Sequence, residues 1–163
     1  MNDISLTSTG GWIAVGVVDA GEFGDVTLNS AAGVSDTANT VTADVLTVRA
    51  AGAVTLTNVE TADGAIHVTA AGDMTVLQVA SLTDSGANDV TLHAAAGAMS
   101  LNLVNAGTFN DVTLQAAGAV LSFSVDTQFV YGGTISITAG AGIGAADAVL
   151  WVDTGNGRLD ADV

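Results

Sequence analysis

Four aspartates stand just before short apolar segments and are the residues of this chain best suited to ion binding. They are Asp25, Asp44, Asp89 and Asp111. If these segments stack as parallel strands, the carboxylates lie about 5 Å apart, and a hard cation such as Ca²⁺ would relieve their repulsion. Aspartate also ends turns through side-chain hydrogen bonds while facing water. Because no calcium-binding nonapeptide repeat is present, we expect diffuse cation screening and no specific metal site.

Histidines and threonines also recur at related positions. His67 and His93 fall on neighbouring repeats but at different offsets, about 8 Å apart, so we expect two surface histidines and no shared metal. One repeat position holds Thr27, Thr47, Thr91 and Thr113, with Ser5 and Ser136. A flat threonine array is also found on some ice-binding solenoids, which leaves ice binding open. Arg49 and His67 interrupt this array, and threonine is an ordinary residue of exposed strands.

Two pairs of aromatic residues have regular surroundings. Phe23 and Phe109 each stand three residues before an apolar segment, which predicts that both fill the core at one corner. Phe129 and Tyr131 fall in a longer return loop of the sixth repeat. We expect that loop to be the best place for a small binding feature.

Composition excludes several classes of function. The chain has 163 residues, of which 49% are hydrophobic, with 17 acids, two arginines, no lysine, no cysteine and a net charge of −15. This much apolar surface argues against disorder, and the missing basic face argues against binding to nucleic acid or insertion into an anionic membrane. Polysaccharide lyases built on parallel β-helices need a base, and Arg49 is the only one outside the tail. We therefore expect no enzymatic activity, no catalytic residue and no cofactor.

A short motif recurs along nearly the whole chain. It reads apolar, then Thr or Ser, then apolar, with an acid before it in several copies. Its first apolar residues are at positions 4, 26, 46, 66, 90, 112 and 135, separated by 20 to 24 residues. A second apolar segment follows each motif, as in Val54-Thr55-Leu56 and Met74-Thr75-Val76, and a polar stretch then returns the chain. Small-residue corners such as Ala95-Ala96-Gly97 separate the two segments.

This pattern predicts an all-β fold, a right-handed parallel β-helix (β-solenoid) of about seven rungs. Period-two alternation and the abundance of Val, Ile and Thr favour strands. Each rung would advance about 4.8 Å, so that the chain forms a rod roughly 34 Å long. Two inward ladders are expected, one containing Val26, Leu46, Ile66, Val90, Val112 and Ile135, the other Leu28, Val48, Val68, Leu92, Leu114 and Ile137. Like residues would stack along each, and the corners would be filled by Ala and Gly.

The motif resembles the repeats of filamentous-haemagglutinin-like exoproteins, which are large bacterial surface or secreted proteins. The resemblance lies in Gly24-Asp25-Val26-Thr27-Leu28 followed by Ala31-Ala32-Gly33, in the similar segment from Asn110 to Gly118, and in the segment from Ile135 to Gly144. It implies a right-handed solenoid that serves as the stalk of an adhesin. It carries over no catalytic, ligand-binding or secretion motif.

Residues 1–163 are therefore expected to form a single solenoid segment, part of a longer array, since solenoids need caps at their ends. Trp12 and Trp151 stand near opposite ends and are expected to cover ladder ends or contact a next segment. The expected function is a non-catalytic stalk of an extracellular or cell-surface bacterial protein. Its partners would be the rest of the parent polypeptide or other copies joined end to end, with a cell-surface glycan or protein as a further possibility. The alternative is a free-standing solenoid that binds ice, a glycan or itself.

Overall fold

A computed structural model describes residues 2–36, 40–123 and 129–163 as strands joined by tight corners. The strands are β1 (Ile4–Ser8), β2 (Ile13–Val15), β3 (Val18–Asp19), β4 (Val26–Ser30), β5 (Val34–Asp36), β6 (Thr40–Ala43), β7 (Leu46–Ala50), β8 (Val54–Leu56), β9 (Asn58–Thr61), β10 (Ile66–Ala70), β11 (Met74–Ser81), β12 (Val90–Ala94), β13 (Met99–Asn105), β14 (Val112–Ala116), β15 (Val120–Ser122), β16 (Phe129–Tyr131), β17 (Thr134–Ala139), β18 (Val152–Asp153) and β19 (Arg158–Asp162). They form one sheet of eight strands and one of eleven. Across these three ranges no helix is present, and so none that could span a membrane.

The eight-stranded sheet, which we call sheet A, contains the first strand of every turn. Its order is β1, β4, β7, β10, β12, β14, β17 and β19, and all neighbours are parallel. The register places Val26 beside Leu46 and Leu28 beside Val48, and both predicted inward ladders continue through the sheet. The predicted parallel β-solenoid of about seven turns is therefore confirmed.

β19 lies beyond the seven copies that the spacing identified. Leu159 pairs with Ile135, so that the motif is repeated an eighth time with Arg158 and Asp160 in place of threonine or serine neighbours. Its place in sheet A follows from pairing with β17.

The eleven-stranded sheet, sheet B, differs from the sequence prediction by a third strand in each turn. β3, β6 and β9 lie in the return stretch that the sequence indicated as polar, β16 lies in the expected return loop of the sixth repeat, and β18 follows an apolar run. β11 and β13 are long enough to include both second and third strands. The inward residue of this third strand is valine in every turn: Val18, Val41, Val59, Val79, Val104, Val130 and Val152. In β6 and β9 a single valine between polar residues is enough for a strand, because both neighbouring turns supply backbone partners.

The corners are small because successive turns stack there by direct backbone contact. Gly118 N donates to Gly97 O at 2.8 Å, and Ala96 N donates to Ala71 O at 3.0 Å. A Cβ built on Gly97 would lie 2.4 Å from the backbone nitrogen of Asp73. The predicted use of Ala and Gly at these corners therefore has a direct steric cause.

Phe23 and Phe109 do not fill the core, and that prediction is wrong. Their side chains are 74% and 76% exposed. The corner where each lies is instead lined on the inside by small buried residues, among them Ala20, Ala43 and Ala106. A phenylalanine ring does not fit inside so tight a corner, and the two rings point into solvent.

Asp36 interrupts an inward column of sheet B and is only 2% exposed. It pairs with Val15, and the corresponding residues of later turns include Leu56. Its carboxylate accepts hydrogen bonds from Thr57 N at 2.7 and 2.8 Å and from Asn58 N at 3.3 Å. These amides lie where β8 ends and β9 begins, so the carboxylate replaces backbone partners that a regular strand would supply.

Candidate functional site

The outer face of sheet A carries the predicted polar columns. Thr27 pairs with Thr47, which pairs with His67, and the column continues through Thr91. His93 lies beside Thr69 in the neighbouring column. The two histidines therefore occupy neighbouring strands at positions two residues apart, as the spacing indicated.

Arg49 lies on the same face between Asn29 and Thr69. The outward residues of the flanking strands are neutral, so that acidic side chains are absent from its immediate surroundings on this face of the described sheet. Arg158, in contrast, forms an ion pair with Asp160 at 2.6 Å. The outer face thus presents a mixed polar surface in which basic side chains interrupt the threonines.

The aspartates before the first strands stabilise the stacking of turns by accepting backbone hydrogen bonds. Asp25 N donates to Asp3 Oδ1 at 3.2 Å, and Asp111 N donates to Asp89 Oδ1 at 2.8 Å. Asp111 Oδ1 in turn accepts from Thr134 N at 3.2 Å. The carboxylates are exposed, as the turn-ending interpretation expects, but these hydrogen bonds join successive turns of the solenoid and do not close a local turn.

Asp44 does not occupy the same position in its turn as the other three aspartates of the predicted set. Val45 immediately precedes β7, and its N–H donates to Asp25 Oδ1 at 3.3 Å. Asp44 stands one residue earlier, and Asp3 holds the position that Asp25, Asp89 and Asp111 share. Within the three described ranges, no group of three or more His, Asp or Glu side chains is arranged to hold a metal ion.

Asp84 forms the densest polar contact between turns. Its carboxylate accepts hydrogen bonds from Thr108 N at 3.0 Å, Phe109 N at 2.9 Å, Asn110 Nδ2 at 3.2 Å and the Thr108 hydroxyl. The Thr108 hydroxyl, together with the two backbone amides, lowers the pKa of this carboxyl below its ordinary value, against a smaller opposing effect of desolvation. The corner between β11 and β12 is thereby fixed to the next turn.

Two buried asparagines extend this contact. Asn88 N donates to Asn110 Oδ1 at 3.2 Å, and Asn110 Nδ2 donates to Ala106 O at 2.6 Å. Asn88 and Asn110 are 0% and 1% exposed. Their stacked amides satisfy corner backbone groups, so their role is structural.

Phe129 and Tyr131 lie in strand β16, and the prediction of a return loop at these residues is wrong. β16 pairs with β13 on one side and β18 on the other. The residues just before it, 124–128, lie outside the described part of the chain. Val130 points inward and is 1% exposed, whereas Phe129 is 47% exposed. The available signal was composition, because Phe, Val and Tyr are all residues that are enriched in strands.

The two tryptophans occupy opposite ends, as expected. Trp12 precedes β2, is 60% exposed, and lies against Gly33, where a Cβ would come within 2.3 Å of its ring. Trp151 precedes β18 and is 59% exposed. Trp12 thus contacts the second turn, and Trp151 adds to the outward aromatic side chains near β16.

The outermost strands of sheet A, β1 and β19, leave apolar side chains exposed to solvent. Leu6 in β1 is 39% exposed and Leu159 in β19 is 49% exposed, whereas the residues between them in the same ladders are fully buried. These two strands pair on one side only in the described sheet. Edge strands of this kind are templates for pairing with a further strand.

Comparison with protein-family models, with curated proteins and with solved structures gave no match to this chain. The resemblance to filamentous-haemagglutinin-like repeats therefore rests on the motifs named above.

Proposed function

We propose that this chain is a non-catalytic structural or adhesive stalk segment of a large extracellular bacterial repeat protein. The observation that carries the proposal is the continuity of the inward columns, from Ile4 to Leu159 in sheet A and from Val18 to Val152 in sheet B. Every turn is bound to its neighbours by parallel backbone hydrogen bonds. A polypeptide organised in this way resists bending and separates whatever modules lie at its two ends.

The outer residues support the same proposal. On sheet A they are mostly short polar side chains in strands whose inward partners are fully buried, so the same kind of polar surface recurs from turn to turn on this face. The net charge of −15 keeps such rods apart by mutual repulsion. These properties suit a spacer, and the motif resemblance points to a bacterial adhesin.

The mass and location of the native gene product test the proposal directly. An antibody raised against the 163-residue chain is used to blot whole cells, culture medium and cells treated with external protease. We expect a band far above 15.9 kDa that is released to the medium or removed by the protease. A protease-protected band near 15.9 kDa inside cells would overturn both the stalk and the surface location.

End-to-end self-association is a second candidate, favoured by the one-sided pairing of β1 and β19. Continuing the register of sheet A would place Leu159 of one copy beside Ile4 of the next. The same register would place Arg158 beside Asp3, so the join would bring opposite charges together. Backbone pairing would thus be accompanied by burial of the exposed ladder ends.

Light scattering of the 163-residue chain across ionic strengths tests this candidate. Because salt screens the repulsion between acidic rods, we expect assembly to increase with salt. Leu159→Lys, which places a charge in the ladder end, should block assembly, whereas Phe109→Lys changes the charge equally at an exposed corner and should not. A monomer at every ionic strength would count against self-association. Ice and glycan binding stay predictions, for which recrystallisation inhibition and glycan arrays are the measurements.

A further inference from the structure

An outward cluster of aromatic side chains near the C-terminal end of sheet B has no role in packing the core. The chain contains four Phe, two Trp and one Tyr, and Phe129, Tyr131 and Trp151 all lie in this cluster. With Leu103 and Asp153 they form what we call the aromatic platform.

The strand register brings the members of the platform together. Leu103 pairs with Phe129, and Tyr131 pairs with Asp153. Val130 N donates to Trp151 O at 3.0 Å, and Val130 pairs with Val152, so that Trp151 stands next to Phe129. Neighbouring strands are separated by about 4.8 Å, which places the side chains within contact of one another.

The platform faces solvent on paired strands. Phe129 is 47% and Trp151 59% exposed, whereas Val130 between the first two aromatic residues is 1% exposed. Because the inward valine fixes each strand, the aromatic side chains are held on a rigid backbone. Binding would therefore require little ordering of the protein.

Earlier turns have polar residues in the same column. Thr40 pairs with Asn58. Val79 pairs with Val59, so that Gln78, the residue before Val79, lies beside Asn58. Gln78 then pairs with Leu103, where the column becomes apolar. Because the earlier turns form with polar residues in this column, the folding of the solenoid does not require aromatic side chains at these positions.

Charge indicates what the platform would bind. Asp153 Oδ1 accepts a hydrogen bond from Gly155 N at 2.8 Å, and Oδ2 receives none from the described residues. The carboxylate lies beside Tyr131 in a chain whose net charge is −15. Guanidinium and ammonium groups are attracted both to carboxylates and to the faces of Trp, Tyr and Phe.

We propose that the aromatic platform binds a partner protein through a basic side chain, with an arginine guanidinium stacked on the aromatic rings and paired with Asp153. Tyr, Trp and Arg are the residues that most often dominate the affinity of protein interfaces. This site is independent of the stalk function and lies on the outward face of sheet B, where β18 is the last strand of the described sheet.

Titration with a synthetic peptide of alternating Arg and Gly tests the site. Trp12→Phe leaves Trp151 as the only tryptophan, so its fluorescence reports on the platform. Ionic strength is held at about 0.15 M to limit attraction at long range. We expect saturable binding of the Arg peptide and none of an otherwise identical peptide of Glu and Gly.

Matched variants separate the platform from general acidity. Affinity, measured by calorimetry, should fall about five- to tenfold in Trp151→Ala and in Asp153→Asn. Phe109→Ala removes an exposed aromatic side chain outside the platform and should leave affinity unchanged. Thermal melting checks that all variants remain folded.

Several outcomes would overturn the site. Equal affinity of Trp151→Ala and the parent chain would show diffuse electrostatic binding. Binding of a neutral oligosaccharide, with no response to the Arg peptide, would replace the basic partner by a sugar. Failure of any of these tests would leave the mass and surface-exposure result for the stalk unaffected.

Discussion

Replacing Gly97 by alanine should be far more destabilising than the same change at Gly72, the corresponding corner glycine of the preceding turn. A Cβ at Gly97 would lie 2.4 Å from Asp73 N and Gly72 C and 2.5 Å from Gly72 O. Ordinary contacts to carbon are about 3.5 Å or longer, so the overlap is about 1 Å. All three atoms belong to the backbone of the neighbouring turn and cannot rotate away.

The magnitude follows from overpacking and from the hydrogen bonds that a shift would strain. Overpacking costs about 1–3 kcal/mol, and each strained hydrogen bond adds about 0.5–1.5 kcal/mol. The bonds at risk are Ala96 N to Ala71 O at 3.0 Å and Ala98 N to Asp73 Oδ1 at 2.9 Å. We expect Gly97→Ala to lower the free energy of unfolding by about 3 kcal/mol, which corresponds to a melting temperature about 6–12 °C lower.

Two other glycines provide controls within the same chain. A Cβ at Gly72 would meet its nearest neighbour, Ala53 N, at 3.3 Å, and a Cβ at Gly10 would meet nothing within 4 Å. Gly72→Ala should cost less than about 1 kcal/mol, and Gly10→Ala should change stability by less than about 0.5 kcal/mol. Urea unfolding followed by circular dichroism measures all three. Equal losses at Gly97 and Gly72 would refute the steric argument.

Three further predictions concern buried and hydrogen-bonded groups. Asp36→Leu should lower the free energy of unfolding in urea by about 1–3 kcal/mol, because Thr57 N would lose its acceptor. Val104→Ala should cost about 2 kcal/mol by the same measurement, since the removed methyl groups are fully buried. The contact between Asp84 and Thr108 should stabilise its corner above the ordinary Asp pKa of about 3.9 and be lost as pH falls through the lowered pKa of Asp84, as amide chemical shifts of Thr108 would report.

Each of these predictions has a conservative control. Asp36→Asn retains one acceptor oxygen and should be less damaging than Asp36→Leu. Thr91→Ala removes an outward side chain and should stay within about 0.5 kcal/mol of the parent chain, in contrast to Val104→Ala. Asp84→Asn should abolish the acid-dependent shift at Thr108. An acid-dependent shift that persists in Asp84→Asn would contradict the contact between Asp84 and Thr108. An equal free energy of unfolding for Asp36→Leu and Asp36→Asn, or for Val104→Ala and Thr91→Ala, would contradict the other two assignments.

The sequence alone determined the architecture of sheet A. Each turn carries its own sequence signals. These are a repeat length near 22 residues, the alternation of apolar and polar residues, and a corner of Ala and Gly. The pairing of Val26 with Leu46 and of Leu28 with Val48 follows from aligning the copies, because a one-residue slip would turn every apolar side chain outward. The same alignment placed His67 and His93 correctly.

Only the tertiary structure decided what happens in the return stretch. Val59 lies between Asn58 and Glu60, and such a segment has too little apolar pattern to indicate a strand by itself. It becomes a strand because the turns above and below supply backbone partners and bury its one valine. The outward direction of the Phe23 side chain also depends on neighbouring turns. They set the space inside each corner, which the local spacing of residues does not encode.

The aromatic platform and the buried carboxylate of Asp36 also required the assembled solenoid. Phe129 and Trp151 are 22 residues apart in the sequence and adjacent in space, because corner lengths set their register. Asp36 is buried because a break between two strands of the next turn leaves amides to be satisfied. Local pattern therefore fixed the repeating strand, and stacking between turns fixed the groups that depart from the repeat.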